Sequence, residues 1–157
     1  MKKIKIKKLN PSAEVPFKGS KDAACYDLVA TEVIQTEVNK VTVKLGFATE
    51  IPVGFKAVIV PRSSFTQKGW VMQNSPGQID SDYRGEWMIK FEAIPTNLIY
   101  KMDNHNRPSL NYADFPYEKE DRVAQTFIEK VEPIYWEEVE ELKSSERDRG
   151  GFGSTGK

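Results

Sequence analysis

The sequence predicts an all-β fold, a sandwich or barrel of short strands. Apolar and polar residues alternate over short segments along the chain, and this period of two is typical of half-buried strands. Turn-forming residues separate these segments at frequent intervals, from Asn10-Pro11 to Asn104–Pro108. Many short strands with frequent turns favour a sandwich or barrel over a parallel sheet covered by helices.

The candidate strands follow one another along the whole chain. KIKIKKL alternates lysine with isoleucine, and KVTVKLGFATEI places Val41, Val43 and Leu45 on one side. GFKAVIVP, EWMIKFEAI and RVAQTFIEKV are further short apolar segments, and Pro61 stops the first of them. These segments supply the strands of the predicted β domain.

Two stretches fit this pattern less well. YWEEVEELKSSE consists of strong helix formers but can also be a last strand, and propensity alone slightly favours a helix. Residues 92–121 are polar, aromatic and long for one connection, which predicts either a hairpin at NLIYKM or a functional insert. Without an internal repeat or a break in composition, residues 1–143 are predicted to form one β domain and residues 144–157 a flexible, glycine-rich C-terminal arm.

The composition argues against several classes of function. The 157 residues have a formal net charge of zero, so nothing indicates direct binding to a nucleic acid. No apolar run reaches the roughly 18 residues of a membrane span, and no apolar stretch follows the basic start MKKIKIKKLN. Cys25 is the only cysteine, which excludes an internal disulfide and favours a reducing compartment, so we expect a cytoplasmic protein.

Two internal polar stretches are candidates for chemistry. In PRSS, Arg62 and the hydroxyls of Ser63 and Ser64 follow an apolar strand and could donate to phosphate oxygens, although the stretch taken alone favours an ordinary turn. In NSPGQIDSDYRGEW, Asp80 and Asp82 would face the same side of a strand, and a carboxylate beside a water can act as a general base. An exposed hairpin with solvated charges is the alternative.

The chain ends in SERDRGGFGSTGK. Glycine-rich backbone can approach phosphates closely, and Arg147, Ser154 and Thr155 add donors, but the P-loop spacing is absent and a frayed terminus is the alternative. We expect His105 to be solvated and Cys25 to be a small buried residue. No Cys, His and carboxylate residues have the spacing of metal ligands.

The order of these stretches is more specific than any one of them. AACYDL, PRSS, GQIDSDYRGE, DRVAQ and RDRGGFGSTG follow one another as five motifs, and the chain resembles the homotrimeric dUTPase family from about Ala23 to its end, with the insert unmatched. The resemblance implies a jelly-roll-like fold, a homotrimer with active sites shared between subunits, and hydrolysis of dUTP to dUMP and pyrophosphate with Mg²⁺ on the triphosphate. It also implies an extended chain at YWEEVEEL. Inserts between Glu86 and Arg122 occur in phage-encoded members, for which the location is the host cytoplasm.

The resemblance also implies a role for each matching residue. Asp80 matches the aspartate that activates the attacking water, Tyr83 the tyrosine under the deoxyribose, and Asp27 an aspartate that reaches Mg²⁺ through water. Arg122 matches a largely structural arginine. The other matches are substrate-binding positions: Asn74, Gly77, Gln78 and Ile79 at the uracil hairpin, Arg62, Ser63, Ser64 and Gln125 at the phosphates, and Arg147, Phe152, Gly153, Ser154 and Thr155 in the arm, with Phe152 over the base.

Three departures and two alternatives stand beside this interpretation, and two of the departures, Cys25 and Ser64, replace glycines that are common in the family. Asp148 stands where the family usually has glycine, and its charge would weaken the hold of Arg147 on the γ-phosphate. The alternatives are a dCTP deaminase-like activity on the same fold, and a nucleotide-switched regulatory protein that binds a protein partner through residues 92–121. Four aromatic residues of this insert either contact a partner or, as we favour, pack on the chain's own barrel: Tyr100, Tyr112, Phe115 and Tyr117.

Overall fold

The computed structural model describes residues 3–66, 68–95, 97–102 and 108–150. In these ranges the chain forms β-strands and one short 3₁₀ helix at Ser63–Phe65, without an α-helix, so the predicted all-β fold is confirmed. The strands in chain order are β1 (Lys5–Lys8), β2 (Tyr26–Val29), β3 (Glu32–Glu37), β4 (Lys40–Lys44), β5 (Phe47–Glu50), β6 (Phe55–Pro61), β7 (Trp70–Met72), β8 (Gly77–Ile79), β9 (Met88–Ala93), β10 (Asn97–Met102), β11 (Pro108–Asn111) and β12 (Arg122–Lys130).

Two antiparallel sheets of four strands form the body of the molecule. One has the order β2-β12-β6-β8 and the other β3-β4-β9-β7, while β1 pairs with β5. Buried residues of both sheets, such as Ile59 on β6 and Phe91 on β9, belong to one core cluster. The two sheets therefore pack face to face, with strands distant in sequence side by side.

The alternation in β4 and the residues after it follows the sequence prediction. Val41, Val43 and Leu45 have at most 1% of their surface exposed, whereas the residues between them are half-buried or exposed at the outer face. Gly46 then separates β4 from β5 with a φ of 71°, and a Cβ there would lie 2.7 Å from the Thr31 side chain. Only glycine fits this position, because both the backbone and the space exclude a side chain.

The predicted insert contains two different parts. β10 and β11 form an antiparallel hairpin of their own, so NLIYKM is its first strand, and the side chain of Tyr100 and all of His105 lie outside the described atoms. The following residues pack on the core instead: the Phe115 ring centroid lies 5.0 Å from that of Trp70 and 5.2 Å from that of Phe91. The preference for internal packing is confirmed for Tyr112, Phe115 and Tyr117.

Residues 131–149 follow the last strand and form neither helix nor strand. The helix favoured by propensity is therefore wrong. Trp136 and Leu142 are 94% and 89% exposed, so the apolar face that would stabilise such a helix packs against nothing in the described part of the chain. The described part of the chain contains no helix with the length and apolar character needed to cross a membrane.

Candidate active site

A buried carboxylate forms the centre of the first group of predicted site residues. Asp27 is 2% exposed, although it is charged. Its Oδ2 accepts a hydrogen bond from Arg122 Nη1 at 3.1 Å, and its Oδ1 accepts one from Gln125 Nε2 at 2.9 Å. Arg62 completes the group, with Nε 3.4 Å from Asp27 Oδ1. We call these four residues the Asp27 cluster.

Strand register brings this cluster together. Gln125 on β12 lies opposite Asp27 on β2 and opposite Val60 on β6, so Arg62 emerges from the end of β6 beside both. Arg62 also donates from Nη1 to the backbone oxygen of Arg122 at 3.1 Å. Two guanidiniums face one carboxylate, which leaves an excess positive charge and free guanidinium donors suited to phosphate oxygens.

The hydroxyls predicted beside Arg62 lie at the surface. Ser63 and Ser64 are exposed residues of the 3₁₀ turn that follows β6. They directly follow Arg62 in sequence, and their hydroxyls can donate hydrogen bonds. Cys25, two residues before Asp27, is half-buried and free, not fully buried as expected.

The second group of predicted residues meets in a cavity of about 420 Å³. Its lining includes the whole predicted uracil hairpin together with the predicted base and the predicted sugar contact: Asn74, Gly77, Gln78, Ile79, Asp80 and Tyr83. Ile59, Met72 and Ile89 supply an apolar floor. An apolar floor with polar groups at one wall is the usual form of a small-molecule site.

The hairpin backbone explains the residue types at this wall. Asn74 has a φ of 49°, a left-handed conformation that asparagine adopts more readily than most residues. Gly77 pairs with Ile59 across β8 and β6, and a Cβ at Gly77 would lie 3.4 Å from the Asn74 oxygen. A Cβ at Gly77 would thus face the chain's own Asn74 and Ile59 at ordinary contact distance.

Asp80 and Tyr83 follow the hairpin in a tight turn. The Tyr83 backbone N–H donates to the Asp80 oxygen at 3.2 Å, and the phenol donates to the Glu86 oxygen at 3.0 Å. Because β8 ends at Ile79, Asp80 and Asp82 do not share one side of a strand as predicted. Asp80 lines the cavity and Asp82 does not, so only one carboxylate of this pair is placed for chemistry there.

Sequence reasoning missed several residues that line the cavity. Gln73, Glu86, Met88 and Lys90 complete its walls. Met88 and Lys90 belong to the outward parity of β9, a signal that was present in the sequence. The Glu86 Oε1 accepts the backbone N–H of Gly46 at 3.0 Å, which a local pattern could not reveal.

One lysine outside the cavity lining is influenced by a carboxylate of the cavity wall. The hydrogen bond and charge of Glu32 raise the pKa of Lys44, and the Glu86 carboxylate adds to this effect. The Lys44 Nζ lies 2.9 Å from Glu32 Oε2. The ion pair with Glu32 is therefore the main electrostatic influence on Lys44.

The arm begins as a described turn and continues outside the described residues. Arg147 Nε donates to the Gly150 oxygen at 3.0 Å, and the Gly150 N–H donates to the Arg147 oxygen at 2.8 Å. The predicted arm positions Phe152, Gly153, Ser154 and Thr155 lie outside the described residues. Arg147 itself contacts neither the cavity nor the Asp27 cluster through any described hydrogen bond.

Comparisons with known proteins decide the family. A family model described as dUTPase matches residues 11–101. The deoxyuridine 5′-triphosphate nucleotidohydrolase of Nautilia profundicola is 43% identical to this chain over 99% of both, and that of Rickettsia conorii is 39% identical over 98% of this chain and 96% of its own. The chain belongs to the dUTPase family.

Two solved phage dUTPase structures have the same fold as this chain. The G164S mutant of the dUTPase of Staphylococcus bacteriophage 80alpha with dUpNHpp matches with a TM-score of 0.76 and 26% identity, covering 99% of both chains. The dUTPase of phage phi11, described with a structural Mg(II) ion, is 24% identical, with a TM-score of 0.69 over 91% of this chain and 100% of its own. The β-sheet architecture is thus the jelly roll of the dUTPases.

Proposed function

We propose that the protein hydrolyses dUTP to dUMP and pyrophosphate by Mg²⁺-assisted attack of water on the α-phosphate. One observation carries the proposal: the hairpin, the carboxylate and the tyrosine of a dUTPase site line one cavity of about 420 Å³. In a cell, this reaction limits the uracil that enters DNA and supplies dUMP for dTTP synthesis.

Asp80 is the proposed general base. The water oxygen forms a bond to the α-phosphorus, and its proton passes to the Asp80 carboxylate. The bond between the α-phosphorus and the oxygen bridging to the β-phosphate breaks, and its electron pair leaves with pyrophosphate. Asp80 suits this role because it is an exposed carboxylate at the cavity wall, where a water can reach it.

Tyr83 is the proposed sugar contact. Its hydrogen bond to the Glu86 oxygen fixes the ring at the cavity wall. A deoxyribose stacked on this ring has no space for a 2′-hydroxyl, so UTP is rejected. The hairpin at Asn74, Gly77, Gln78 and Ile79 presents backbone donors and acceptors to uracil, and a wrong base leaves buried polar groups unpaired.

The proposed phosphate site combines the Asp27 cluster with the arm. Arg62, Ser63, Ser64 and Gln125 contact the phosphates, and Arg147, Ser154 and Thr155 hold the γ-phosphate. Phe152 covers uracil, and Gly153 lets the backbone approach. Cationic and neutral donors suit this site because the leaving pyrophosphate concentrates negative charge.

Asp27 is the proposed protein contact to the metal, through water. The described residues contain no group of three or more Asp, Glu, His or Cys side chains that could hold an ion by themselves. A single carboxylate fits Mg²⁺, which keeps several waters and takes most ligands from phosphates. Both Asp27 oxygens already accept hydrogen bonds, and each has a second lone pair for a metal-bound water. When bound to the triphosphate, Mg²⁺ neutralises part of its charge.

A homotrimer with shared active sites is part of the proposal. In one chain, the lining of the cavity includes none of Asp27, Arg62 or Gln125, so base and phosphate ligands fall in two groups. Residues after β12 carry exposed Ile134, Tyr135 and Trp136, which suit burial on a neighbouring copy. We place the protein in the cytoplasm, with its nucleotide substrate.

A pyrophosphate assay tests the function. The protein is mixed with dUTP and Mg²⁺, with dCTP, dTTP and UTP as controls, and release from dUTP alone is expected. Asp80→Asn should lower turnover by about 10²–10⁴-fold while retaining dUTP binding. Asp82→Asn is the matched control and should stay active. Absence of pyrophosphate from dUTP would refute the proposal, and an active Asp80→Asn protein would refute the role of Asp80.

Complementation tests the shared sites. Asp80→Asn and Arg62→Ala proteins should each be inactive, and co-expression should restore a fraction of the activity, because some sites then combine two intact contributions. Mixed oligomers that stay inactive would contradict sharing of these two groups between subunits.

Neither alternative function is favoured. Release of ammonia from dCTP would reveal a deaminase. A regulatory role through the insert would now depend on the β10–β11 hairpin, because Phe115 and Tyr117 pack against the chain itself. Such a role is compatible with dUTP hydrolysis.

A further inference from the structure

A network of three polar side chains lies at one wall of the cavity. The Glu92 Oε2 accepts a hydrogen bond from Gln73 Nε2 at 2.6 Å, and its Oε1 accepts one from Asn39 Nδ2 at 3.2 Å. Both oxygens of this half-buried carboxylate are thus engaged by amide groups. Gln73 belongs to the cavity lining, whereas Glu92 and Asn39 stand behind it.

Backbone pairing holds this network in register. The Gln73 N–H donates to the Lys90 oxygen at 2.8 Å, which continues the β7–β9 ladder by one residue, and the Ala93 N–H donates to the Asn39 oxygen at 2.8 Å. Lys40, next to Asn39, lies opposite Glu92 across β4 and β9. The three side chains are therefore fixed by strands on both sides.

The carboxylate determines which way the Gln73 amide points. An ionised carboxylate only accepts hydrogen bonds, so the amide nitrogen must face Glu92 and the carbonyl oxygen must face away. That oxygen accepts no hydrogen bond from any side chain or backbone group in the described part of the chain. Among the described residues the Gln73 oxygen has no donor, so it is available to a ligand at the cavity wall.

We infer that Gln73 is a specificity-determining residue for the pyrimidine base and that Glu92 positions it. Gln73 directly precedes Asn74, the first residue of the hairpin assigned to the base, and both residues line the cavity, so the inference places the Gln73 acceptor at the base edge. Uracil carries a hydrogen-bond donor at N3, whereas cytosine carries an acceptor there. The Gln73 oxygen, held in place by Glu92, can therefore accept a hydrogen bond from N3 of uracil. With cytosine, the Gln73 oxygen and N3 are both acceptors and repel each other. This inference rests on the proposed dUTP hydrolysis.

The test compares substrate preference in the full-length protein. Gln73→Met keeps the side-chain length and removes the acceptor. We expect the KM for dUTP to rise about three- to tenfold with kcat little changed, the loss expected for one hydrogen bond. The dCTP inhibition constant should not rise with the dUTP KM. The ratio of the dCTP inhibition constant to the dUTP KM should therefore fall by a similar factor.

Glu92→Gln tests the positioning role. A glutamine at this position can donate as well as accept a hydrogen bond, so the Gln73 amide can turn over. The ratio of the dCTP inhibition constant to the dUTP KM should therefore fall, but less than in Gln73→Met. The Gln73→Met/Glu92→Gln double variant should be no less selective than Gln73→Met alone. Val71→Ala changes a residue opposite Glu92 that does not line the cavity, and it should keep the wild-type ratio.

The outcomes separate the two claims. A wild-type protein that releases no pyrophosphate from dUTP refutes the proposed function. An active wild-type protein with an unchanged ratio in folded Gln73→Met refutes the inference alone, even if the thermal midpoint falls. If Gln73→Met does not fold, Glu92→Gln decides by the same ratio, and an unchanged value overturns the inference.

Discussion

The Tyr83 ring lies directly against Gly85. A Cβ atom at Gly85 would stand 2.3 Å from the Tyr83 phenol oxygen and 2.5 Å from Cζ, far inside van der Waals contact. The same phenol donates to the Glu86 oxygen at 3.0 Å. The tyrosine is thus held by a backbone contact on one side and a hydrogen bond at its tip, and its position at the cavity depends on the absence of a side chain at Gly85.

Gly85→Ala should displace the Tyr83 ring without unfolding the protein. We expect kcat/KM for dUTP to fall about 10–100-fold, since a displacement of about 1 Å can have this effect, and the preference for dUTP over UTP to fall as well. Steady-state kinetics on both nucleotides measure this. Gly54→Ala is the control: its φ is 81° and a Cβ would meet nothing within 4 Å, so it should lose about 1–2 kcal/mol of stability and keep the preference. An unchanged preference in Gly85→Ala would argue against Tyr83 as the sugar contact.

Asp27→Asn should lower both stability and the response to metal. The change leaves the guanidiniums of Arg62 and Arg122 without their buried counter-charge. We expect a loss of about 2–3 kcal/mol in urea unfolding, below the range for fully buried pairs because the Arg122 side chain is 47% exposed. More Mg²⁺ should be needed for half-maximal rate. Asp22→Asn changes an exposed carboxylate nearby and should alter neither quantity. Full stability in Asp27→Asn would show that the cluster serves only the substrate.

Periodicity predicted the strands because it is a local signal. Val41, Val43 and Leu45 alternate in the sequence and are buried in the structure. The segment around Trp136 shows the limit of local signals. Its helix propensity is also local, but a short helix needs a surface to pack against, and the described residues supply none. Tertiary context, which propensity does not contain, decided that segment.

The candidate site also contains residues that a local signal predicts and residues that only the fold brings together. Asn74 to Tyr83 are close in sequence, so a single stretch of sequence predicted these cavity residues together. The Gln73–Glu92–Asn39 network joins residues 19 and 53 positions apart, and nothing local marks them as partners. Likewise, the expectation that Asp80 and Asp82 share a face failed because β8 ends one residue before Asp80.

Phe115→Ala should destabilise the protein although Phe115 follows the insert hairpin. Its ring contacts those of Trp70, Phe91 and Tyr117, and the Trp70 indole donates to the Ala113 oxygen at 2.8 Å. We expect a loss of about 3 kcal/mol in chemical denaturation. Replacing residues 97–111 by a short Gly-Ser linker is the matched control and should keep stability and dUTP hydrolysis, because β10 and β11 form a separate sheet. A larger loss of stability in the linker variant than in Phe115→Ala would show that the hairpin, not the 112–117 segment, supports the core.

Removal of residues 144–157 should separate activity from stability. Residues 144–149 are exposed and belong to no strand, so the thermal midpoint should change little. Pyrophosphate release from dUTP should fall at least about a hundredfold, because the donors to the γ-phosphate are lost together. A truncated protein with wild-type activity would contradict the arm's role, and a large fall in the midpoint would show that the arm supports the fold.

Asp148 occupies the left-handed region with a φ of 41°, within the turn that Arg147 and Gly150 close. Its backbone N–H donates to Ser145 Oγ at 3.0 Å. Glycine adopts this conformation without strain, and aspartate is among the few other residues that adopt it readily. Asp148→Asn keeps that preference and removes the charge beside Arg147. It should lower the KM for dUTP about two- to fivefold, the range for an exposed charge pair, with a smaller gain at high salt. Asp148→Val should raise the KM, because a β-branched residue strains the turn. If Asp148→Asn leaves the KM unchanged at low salt, the aspartate serves the turn alone and its charge does not reach the phosphates.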